Sequence, residues 1–453
     1  MKKASAPDAE GKPTPTQQFS LCGVGLWPAG CGASGSARES RTSCAGRSAF
    51  FPFLAQNENC CLDPCMESLN IMLIAGEASG DFNAAELVKA LAESLPGSIF
   101  FGAGGPKMAE AGVELAFDMT AQSAIGLSDV IIKLPVFRRM FLDLVKLAVT
   151  RMPDVIILVD FGGFNRRFAS AIRKHIRSHS KRVGFWRPKI VQYISPQVWA
   201  SRPGRAAKLA RDIDLLLCLF PFEKEWYAQR VPELRVEFVG HPLFDHHAGQ
   251  GTVPARASSH SDTEPPQVLL LPGSRNAELR RHLPVMIGAA QIIASKSVVR
   301  FEMILPSETL VDQARKLGVD SVPNLDIKIG GLAQALARAT LAVASTGTVT
   351  LECAYFGVPT VAIYKTSWST YEIGRRIIKV RFLAMPNLLA DRALFPELIQ
   401  HDATAENIAR ESLALLNDPI RRREIQDGLK KIMASLGGPG AACRAAQAIV
   451  KLW

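Results

Sequence analysis

The chain has 453 residues, of which 48% are apolar and 7% aromatic, a composition that excludes a disordered polymer and a fibrous repeat. At about 100–200 residues per domain, this length predicts two or more packed cores. Lys and Arg total 53 against 42 Asp and Glu, so the net charge is +11. That charge indicates an anionic partner without choosing between nucleic acid, a phosphorylated substrate and an acidic membrane face.

Residues 1–65 differ from the rest of the chain. They hold six of the nine cysteines in a stretch rich in Gly, Ser, Ala and Pro that has no sustained periodicity. A signal peptide is disfavoured because polar residues follow Lys2 and Lys3 and the later apolar patch is interrupted by glycine and proline. A metal or disulfide knot lacks Cys-x-x-Cys spacing and histidine. We predict a disordered extension, upstream of a functional start at Met66.

From residue 69 onward, short apolar runs alternate with amphipathic stretches, which is typical of α/β folds. The predicted strands cover residues 69–75, 98–102, 155–159, 189–194, 215–219 and 236–239, and then 268–271, 301–305, 325–329, 341–344 and 360–364. Their continuous hydrophobicity predicts parallel sheets that are covered on both faces.

The predicted fold is therefore α/β, with two facing doubly wound Rossmann-like domains. The first covers residues 66–247 and the second 267–453, and a Gly-, Ser-, Thr- and Pro-rich linker covers 248–266. We expect the last helices to pack back on the N-terminal domain. Ligands of such sheets bind at the carboxyl ends of the strands, so two facing domains predict a cleft with two half-sites.

Two segments follow predicted strands of the first domain. Residues 76–81 (GEASGD) open the first helix, where small residues and free N–H groups favour anions or sugar hydroxyls, although a plain tight turn has the same pattern. Asp160 ends the strand at 155–159. There its carboxylate could take a proton from a hydroxyl nucleophile, or could cap the next helix.

Two further segments follow strands of the second domain. Residues 271–275 (LPGSR) combine a hydroxyl, a free N–H and a guanidinium, which suit a diphosphate. Residues 345–352 (STGTVTLE) lead into a helix whose first N–H groups favour phosphate, and Glu352 could accept hydrogen bonds from ribose hydroxyls. Each motif alone could be structural, but both together predict a nucleotide held at its two ends.

Two features of the sequence concern the surface. Residues 161–211 contain 13 basic residues and no acidic one, and residues 135–148 predict a helix with an apolar stripe flanked by basic side chains. Such a stripe usually belongs to the core, and insertion into a membrane surface is the alternative. The predicted membrane contacts are Phe137, Arg138, Arg139, Met140, Phe141 and Leu144. No apolar run is long enough to cross a bilayer.

In this order, the motifs resemble those of the lipid-A-disaccharide synthases, a family of inverting UDP-sugar glycosyltransferases with the B-type two-Rossmann fold. The similarity extends from about residue 69 to the C-terminus. It rests on IAGEASGD (74–81), VDFGGFN (159–165), ISPQVWA (194–200), FPFEKEWY (220–227), FVGHP (238–242), LLPGSR (270–275), STGTVTLE (345–352) and MPNLLADR (385–392). The chain departs from the family pattern at Gly162, where proline is usual, and at Ser201, where tryptophan is frequent.

The resemblance implies transfer of 2,3-diacylglucosamine from UDP-2,3-diacylglucosamine to the 6-hydroxyl of 2,3-diacylglucosamine 1-phosphate, forming the β-1,6 disaccharide of lipid A. It makes Asp160 the candidate general base and Glu77 a second catalytic candidate. The implied acceptor-binding residues are Ser79, Asp81 and Asn165, and the implied UDP-sugar-binding residues are Ser274, Arg275, Ser345, Gly347, Thr348, Glu352 and Asn387. Neither metal nor cofactor is implied, because arginine and helix dipoles can stabilise the departing diphosphate.

The implied location is the cytoplasmic face of the inner membrane, with its anionic surface as a partner and no role for nucleic acid. Whether the protein is a monomer or a homodimer stays open. One alternative is another UDP-N-acetylglucosamine-type glycosyltransferase or epimerase of cell-envelope synthesis, which GEASGD and PNLLADR disfavour. A nucleic-acid-binding protein lacks the expected aromatic or helix-turn-helix signature. A catalytically idle, membrane-binding relative is the third alternative.

Overall fold

The structure is a computed structural model, and it describes residues 68–120, 130–179, 186–248 and 265–453. The predicted extension at 1–65 lies outside the described residues, as does most of the predicted linker at 248–266.

The first half of the described chain forms a seven-stranded parallel sheet in the order β3-β2-β1-β4-β5-β6-β7. Its strands are β1 (Asn70–Ala75), β2 (Ile99–Gly104), β3 (Glu114–Asp118), β4 (Val155–Val159), β5 (Lys189–Tyr193), β6 (Leu215–Cys218) and β7 (Arg235–Phe238). The helices between them are α1 (Ala78–Ser94), α2 (Pro106–Glu110), α3 (Val130–Arg151), α4 (Gly162–His179), α5 (Val198–Ser201), α6 (Ala206–Asp212), α7 (Pro221–Ala228) and α8 (Leu243–Ala248).

The second half forms a six-stranded parallel sheet in the order β10-β9-β8-β11-β12-β13. Its strands are β8 (Gln267–Leu271), β9 (Arg300–Leu305), β10 (Leu325–Ile329), β11 (Leu341–Ser345), β12 (Thr360–Tyr364) and β13 (Glu397–Ile399). Its helices are α9 (Asn276–Lys296), α10 (Glu308–Lys316), α11 (Leu332–Arg338), α12 (Thr348–Tyr355), α13 (Trp368–Ile377), α14 (Met385–Ala390), α15 (Ala405–Asn417), α16 (Pro419–Ser435) and α17 (Ala441–Val450). The predicted pair of doubly wound Rossmann-like domains is confirmed.

Both faces of the first sheet are buried, which explains its continuous apolar runs. Ile71 and Leu73 of β1 belong to one core cluster, whereas Met72 and Ile74 belong to another on the opposite face. Alternate side chains of a strand point to opposite faces, so a strand that is covered twice needs apolar residues at every position.

Strands β3 and β13 were missing from the sequence interpretation. Each is the last strand at an edge of its sheet, and β13 has only three residues. In β3, exposed and half-buried positions alternate, so it has no continuous apolar run. Edge strands need less burial, and the pattern that reveals the central strands is therefore absent from them.

Each sheet has a topological switch point, where two neighbouring strands have connections that run in opposite directions. In the first sheet β1 lies beside β4, and in the second β8 lies beside β11. The loops after these strands therefore open at the same edge of the sheet, where ligands of doubly wound sheets bind. This arrangement makes the loop at 76–77 a neighbour of the loop at 160–161, and the loop at 272–275 a neighbour of the loop at 346–347.

Helix α17 returns to the first domain and packs on α1. The guanidinium of Arg444 donates from Nε to the carbonyl of Val239 at 2.7 Å, and Ala442 N–H donates to Asp245 Oδ2 at 3.1 Å. These bonds join the end of the chain to the FVGHP segment, so the C-terminal helix belongs structurally to the N-terminal domain. No helix among the described residues is long and apolar enough to span a membrane.

Candidate functional site

The end of β4 has an unusual backbone. Asp160 and Phe161 both have left-handed conformations, with φ of +48° and +44°. Such conformations cost roughly 1–3 kcal/mol each for residues other than glycine, and they persist only where the surroundings enforce them. The turn changes the direction of the chain directly after β4, so Asp160 lies at the edge of the sheet where a ligand is expected.

Two buried amide side chains enforce this turn. Gln192, at the end of the neighbouring strand, donates from Nε2 to the carbonyls of Asp160 at 3.2 Å, Tyr193 at 3.3 Å and Ile194 at 3.1 Å. Asn165 of α4 donates from Nδ2 to the Asp160 carbonyl at 2.8 Å. Both side chains are at most 1% exposed, so water does not compete for these bonds.

Asn165 was predicted to contact the acceptor, and the structure gives its two amide atoms different environments. Its nitrogen holds the Asp160 turn, while its oxygen is buried with no hydrogen-bond partner among the described residues. A buried amide oxygen without a donor is costly. The hydrogen bonds of the nitrogen therefore favour a role for Asn165 in positioning Asp160. The unpaired oxygen is still compatible with the predicted contact to the acceptor.

The Asp160 carboxyl lies in an environment that favours its protonated form. Burial raises its pKa most, the negative charge of Glu77 raises it further, and the backbone N–H of Phe161 lowers it. A carboxylate with a raised pKa is a stronger base, once ionised, than an exposed aspartate. The site is thus suited to removing a proton from a hydroxyl group.

Glycines allow the loops around Asp160 to approach each other. A Cβ on Gly76 would collide with the Phe161 ring, and a Cβ on Gly162 would lie 2.9 Å from Cβ of Pro196. The departure from the family pattern at position 162 therefore coincides with a close contact to the loop after β5. In this chain the close packing of Pro196 requires a residue without a Cβ at 162.

Glu77 connects the two half-sites. Its carboxylate lies 3.6 Å from the guanidinium of Arg275, which in turn lies 3.7 Å from Glu278. All three side chains are substantially exposed, so the pairs stabilise the protein by no more than about 1 kcal/mol each. These ion pairs serve mainly to orient Arg275, because they hold its guanidinium beside Glu77, on the side of the turn that carries Asp160.

The other two acceptor-side candidates have different surroundings. Ser79 is exposed in the first turn of α1. Asp81 is 2% exposed, and its carboxylate accepts from the N–H groups of Gly105 at 2.8 Å, Lys107 at 3.0 Å and Met108 at 3.1 Å. Asp81 thereby caps α2. Its carboxylate holds the loop after β2, whereas Ser79 is free to meet a ligand.

The nucleotide half-site consists of backbone and small side chains. Ser274 is exposed and follows Gly273, whose φ of +117° favours glycine. Gly347 and Thr348 are exposed at the start of α12, and Ser345 is buried at the end of β11. Free N–H groups at a helix start bind phosphate. The structure thus brings the predicted UDP-binding loops together at neighbouring strand ends.

Glu352 lies further along α12 and faces the first domain. Burial raises its pKa to about 7, and its Oε2 lies 4.0 Å from Nε2 of His247 in α8. Burial lowers the pKa of His247 to about 4, and the charge of His246 lowers it as well. Between these two pKa values both groups are mostly neutral, so this contact is not an ion pair.

Asn387 differs from the other predicted nucleotide residues. It is completely buried, its Nδ2 donates to Phe395 O and Glu397 Oε1 at 2.8 Å each, and its Oδ1 accepts from the N–H groups of Leu394 at 2.9 Å and Phe395 at 2.7 Å. These four bonds use the full hydrogen-bonding capacity of an asparagine amide. The geometry favours a role in holding the loop at 394–397 over direct contact with a nucleotide.

The predicted membrane stripe lies largely inside the protein. Met140 is 9% exposed and Leu144 is fully buried, and the Phe141 ring packs edge-on against the rings of Phe164 and Phe168. These positions favour the core alternative for the apolar side chains. Of the predicted contact residues, Arg138 and Arg139 are exposed and Phe137 is half-buried.

A second buried network joins the ISPQVWA and FPFEKEWY motifs. Trp199 donates from Nε1 to Glu223 Oε1 at 2.9 Å, and Ser195 Oγ lies 3.2 Å from the Tyr227 hydroxyl. Burial raises the pKa of Glu223 to about 7, although its hydrogen bonds oppose the shift. Both motifs are recognisable in the sequence, but no role was predicted for Glu223. The available signal, a glutamate among the aromatic residues of FPFEKEWY, is weak because Lys224 and Glu225 follow it.

Part of the acid-free stretch at 161–211 forms a cluster of arginines. The pKa of Arg205 is lowered by burial and by the positive charges of Arg202, Arg166 and Arg167. In the part of the chain that the structure describes, the ion pairs of this stretch involve Arg173 and Arg211 instead. Arg166 and Arg167 lie on α4, and Arg202 and Arg205 follow α5, so the four guanidinium groups form one positively charged cluster.

Comparison with solved structures shows the same fold. The chain is similar to the calicheamicin glycosyltransferase CalG4, with a TM-score of 0.53 and 16% identity, covering 85% of this chain and 99% of that one. It is similar to MurG of Acinetobacter baumannii, with a TM-score of 0.52, 16% identity and the same two coverages. A UDP-N-acetylglucosamine 2-epimerase has a TM-score of 0.50 at 14% identity, covering 85% of this chain and 96% of that one. The architecture is that of the two-domain glycosyltransferases.

Sequence comparison is more specific than the fold. The family model for lipid-A-disaccharide synthetase matches residues 71–451. Lipid-A-disaccharide synthases of Syntrophus aciditrophicus and Geobacter metallireducens are each 37% identical to this chain, covering 84% of it and 97% of each relative. The synthase of Myxococcus xanthus is 35% identical, with the same coverages. The chain belongs to the lipid-A-disaccharide synthetase family and is a glycosyltransferase, which confirms the resemblance of its motifs.

Proposed function

We propose that the protein transfers 2,3-diacylglucosamine from UDP-2,3-diacylglucosamine to the 6-hydroxyl of 2,3-diacylglucosamine 1-phosphate. The family supports the reaction type and the substrates. The observation that carries the proposal for this chain is the carboxyl of Asp160, held with a raised pKa beside Glu77, whose own partner Arg275 comes from the nucleotide half-site.

In the proposed reaction, Asp160 accepts the proton of the acceptor 6-hydroxyl while that oxygen attacks the anomeric carbon of the donor sugar. The bond between this carbon and the diphosphate oxygen breaks, and UDP leaves from the opposite face with the bonding electrons. A single displacement of this kind inverts the anomeric configuration. Arg275 and the first N–H groups of α12 stabilise the charge that develops on the diphosphate.

The proposed reaction needs neither a metal nor a cofactor. The arginine and helix-start donors provide the positive charge that the leaving group needs. A reaction in the presence of EDTA tests this part of the proposal directly.

We further propose that the enzyme works at the cytoplasmic face of the inner membrane, where both lipid substrates would reside. The cluster of Arg166, Arg167, Arg202 and Arg205 would attract the acceptor phosphate or anionic headgroups. Exposed Arg138 and Arg139 would add to this attraction.

The decisive experiment measures UDP release and disaccharide formation in detergent micelles with EDTA, for the full chain and for its Asp160→Asn variant. We expect product with inverted anomeric configuration from the wild type, and turnover lowered about 100- to 10,000-fold in the variant because a general base is lost. NMR of the new glycosidic bond reports the configuration.

Asp154→Asn is the matched control. Asp154 lies at the opposite end of the same strand, where it accepts a hydrogen bond from the N–H of Asn70 at 2.8 Å. We expect this change to leave turnover within about twofold of the wild type. Full activity of Asp160→Asn would refute Asp160 as the base, and absence of product with bound UDP would refute the proposed reaction.

A further inference from the structure

A cavity of about 280 Å³ lies between the two domains, beside α5. The first domain contributes an aromatic wall, and the second contributes the segment before α14 and one face of that helix. The apolar lining consists of Trp199, Phe222, Trp226, Val380, Phe382 and Leu388. Its volume is near the lower end of the roughly 300–1,000 Å³ of small-molecule pockets, so it suits part of a larger ligand.

The aromatic wall is held rigidly. The indole N–H of Trp199 is engaged by buried Glu223, and its ring meets Phe222 edge-on at 5.0 Å between centroids. The guanidinium of Arg230 covers one face of the Trp226 ring at 4.3 Å. The polar atom of Trp199 is thus satisfied away from the cavity, and apolar ring surface is left to line it.

The cavity adjoins the cleft between the half-sites. The N–H of Lys379 donates to the carbonyl of Ala200 at 2.8 Å, which ties the two walls together. Pro196, shortly before α5, packs against Gly162 beside the Asp160 turn. A ligand that extends from the cavity along this wall therefore approaches the Asp160 turn.

Helix α13 precedes the cavity in the chain and has no buried residue. Trp368 is 70% exposed, Ile373 is 59% exposed and Ile378 just beyond the helix is 40% exposed. Arg375, Arg376, Lys379 and Arg381 are exposed on the same stretch. Large apolar side chains together with cations, on a helix without a buried face, are typical of a segment that lies in a membrane surface.

We propose that the cavity binds one acyl chain of a glucosamine lipid substrate, which reaches it from a membrane surface contacted by α13. This inference rests on the proposed function and adds a lipid subsite to it. Two charged residues, Arg381 and Asp391, complete the lining, and the Arg381 guanidinium lies 5.1 Å from the Phe382 ring centroid. The exposed guanidinium is available to the anionic part of the lipid, while the rings bind its methylene groups.

A binding experiment tests the site without relying on turnover. The probe is 2,3-diacylglucosamine 1-phosphate with bromine near the ends of its acyl chains, and the readout is quenching of tryptophan fluorescence. We expect the wild type to be quenched, and the double variant W199F/W226F to lose most of that quenching. W368F should retain most of it, because Trp368 lies on α13 and not in the wall of the cavity. Quenching that disappears in W368F and persists in the double variant would place the chain at the membrane face and overturn the proposal.

The dependence of KM on the length of the acyl chain provides a second test, which is measured by turnover. Val380→Trp fills the cavity, so we expect KM for substrates with long acyl chains to rise at least tenfold, while KM for short-chain analogues and the affinity for UDP stay unchanged. Burial of each methylene is worth about fourfold in affinity, which makes such a difference measurable. Val298→Trp is the control, because Val298 is 81% exposed in a distant loop.

Trp226→Ala provides the same test if Val380→Trp does not fold, since it removes part of the wall without adding bulk. In either variant, a dependence on chain length equal to that of the wild type would refute the acyl subsite. If no protein turns over any substrate, the proposed function fails, and the quenching experiment still decides whether the cavity binds an acyl chain.

Discussion

The two half-sites are held in different ways. In the first domain, Asp160 lies on a left-handed turn that buried Gln192 and Asn165 clamp through its carbonyl. In the second, Ser274 is exposed on a loop and Thr348 is exposed at the start of α12, where mainly backbone N–H groups are offered. A base must be placed within a fraction of an ångström, whereas phosphate bound by N–H groups and a helix dipole tolerates larger displacements. Changes in the first region should therefore affect turnover, and changes in the second should affect affinity.

Gln192 and Asn165, the clamp on the Asp160 turn, provide the strongest test of this comparison. Gln192→Leu removes the donors to three carbonyls, so the Asp160 turn should relax. We expect kcat to fall about 100-fold with KM nearly unchanged, because a misplacement of about 1 Å costs that much in rate. Steady-state kinetics with varied donor and acceptor separates the two parameters.

Gln400→Leu is the matched control from the other domain. Gln400 also clamps a loop, donating to Thr366 O at 3.1 Å and accepting from Thr366 N–H at 3.0 Å, but this loop is far from Asp160 in the chain and on a different sheet. We expect a comparable loss of thermal stability from both variants and a large loss of kcat only from Gln192→Leu. Equal losses of kcat would mean that the clamp acts only through stability.

Arg275 tests the nucleotide side. Arg275→Ala removes the guanidinium that we propose binds the diphosphate, and we expect KM for the UDP-sugar to rise about 10- to 30-fold with a smaller decrease in kcat. Calorimetric titration of UDP provides an independent affinity. Arg281→Ala, an exposed arginine further along α9, should change neither quantity. A loss confined to kcat would contradict the division between the two half-sites.

The arginine cluster tests how the acceptor is attracted. Arg202→Gln/Arg205→Gln should raise KM for the phosphorylated acceptor several-fold at low salt, and the difference should vanish near 1 M salt because charges are screened within about 3 Å there. Lys208→Gln in the same segment is the control for net charge. An effect that is independent of salt would indicate that the two arginines act through local packing instead.

The fold could be predicted from the sequence because the central strands are buried on both faces, as Ile71, Met72, Leu73 and Ile74 illustrate. The candidate base could be located because Asp160 follows such a strand. The hydrogen bonds by which Gln192 holds the Asp160 turn could not be predicted. Gln192 lies within a buried strand, and the partners of its side chain depend on the turn after β4. The roles of Asp81 and Asn387 were equally hidden, because a polar residue in a motif looks the same whether it binds a ligand or holds a loop.

The contact between Glu352 and His247 gives the smallest expected effect, which concerns stability. The pKa of Glu352 is raised from 4.5 to about 7, so its contribution to stability is complete below pH 4.5 and is lost as pH rises towards 7. The pKa of His247 is lowered from 6.5 to about 4, so its contribution is complete above pH 6.5 and is lost as pH falls towards 4. In the wild type the two trends oppose each other.

Glu352→Gln removes one of the two trends, because glutamine does not ionise. We therefore expect the Tm of the variant to rise between pH 4.5 and 6.5 relative to the wild type, by roughly 2–5 °C across that interval. Glu424→Gln, at an exposed position of α16, should parallel the wild type at every pH. If Glu352→Gln also paralleled the wild type, Glu352 would not bind a proton in this pH interval, and its raised pKa would be refuted.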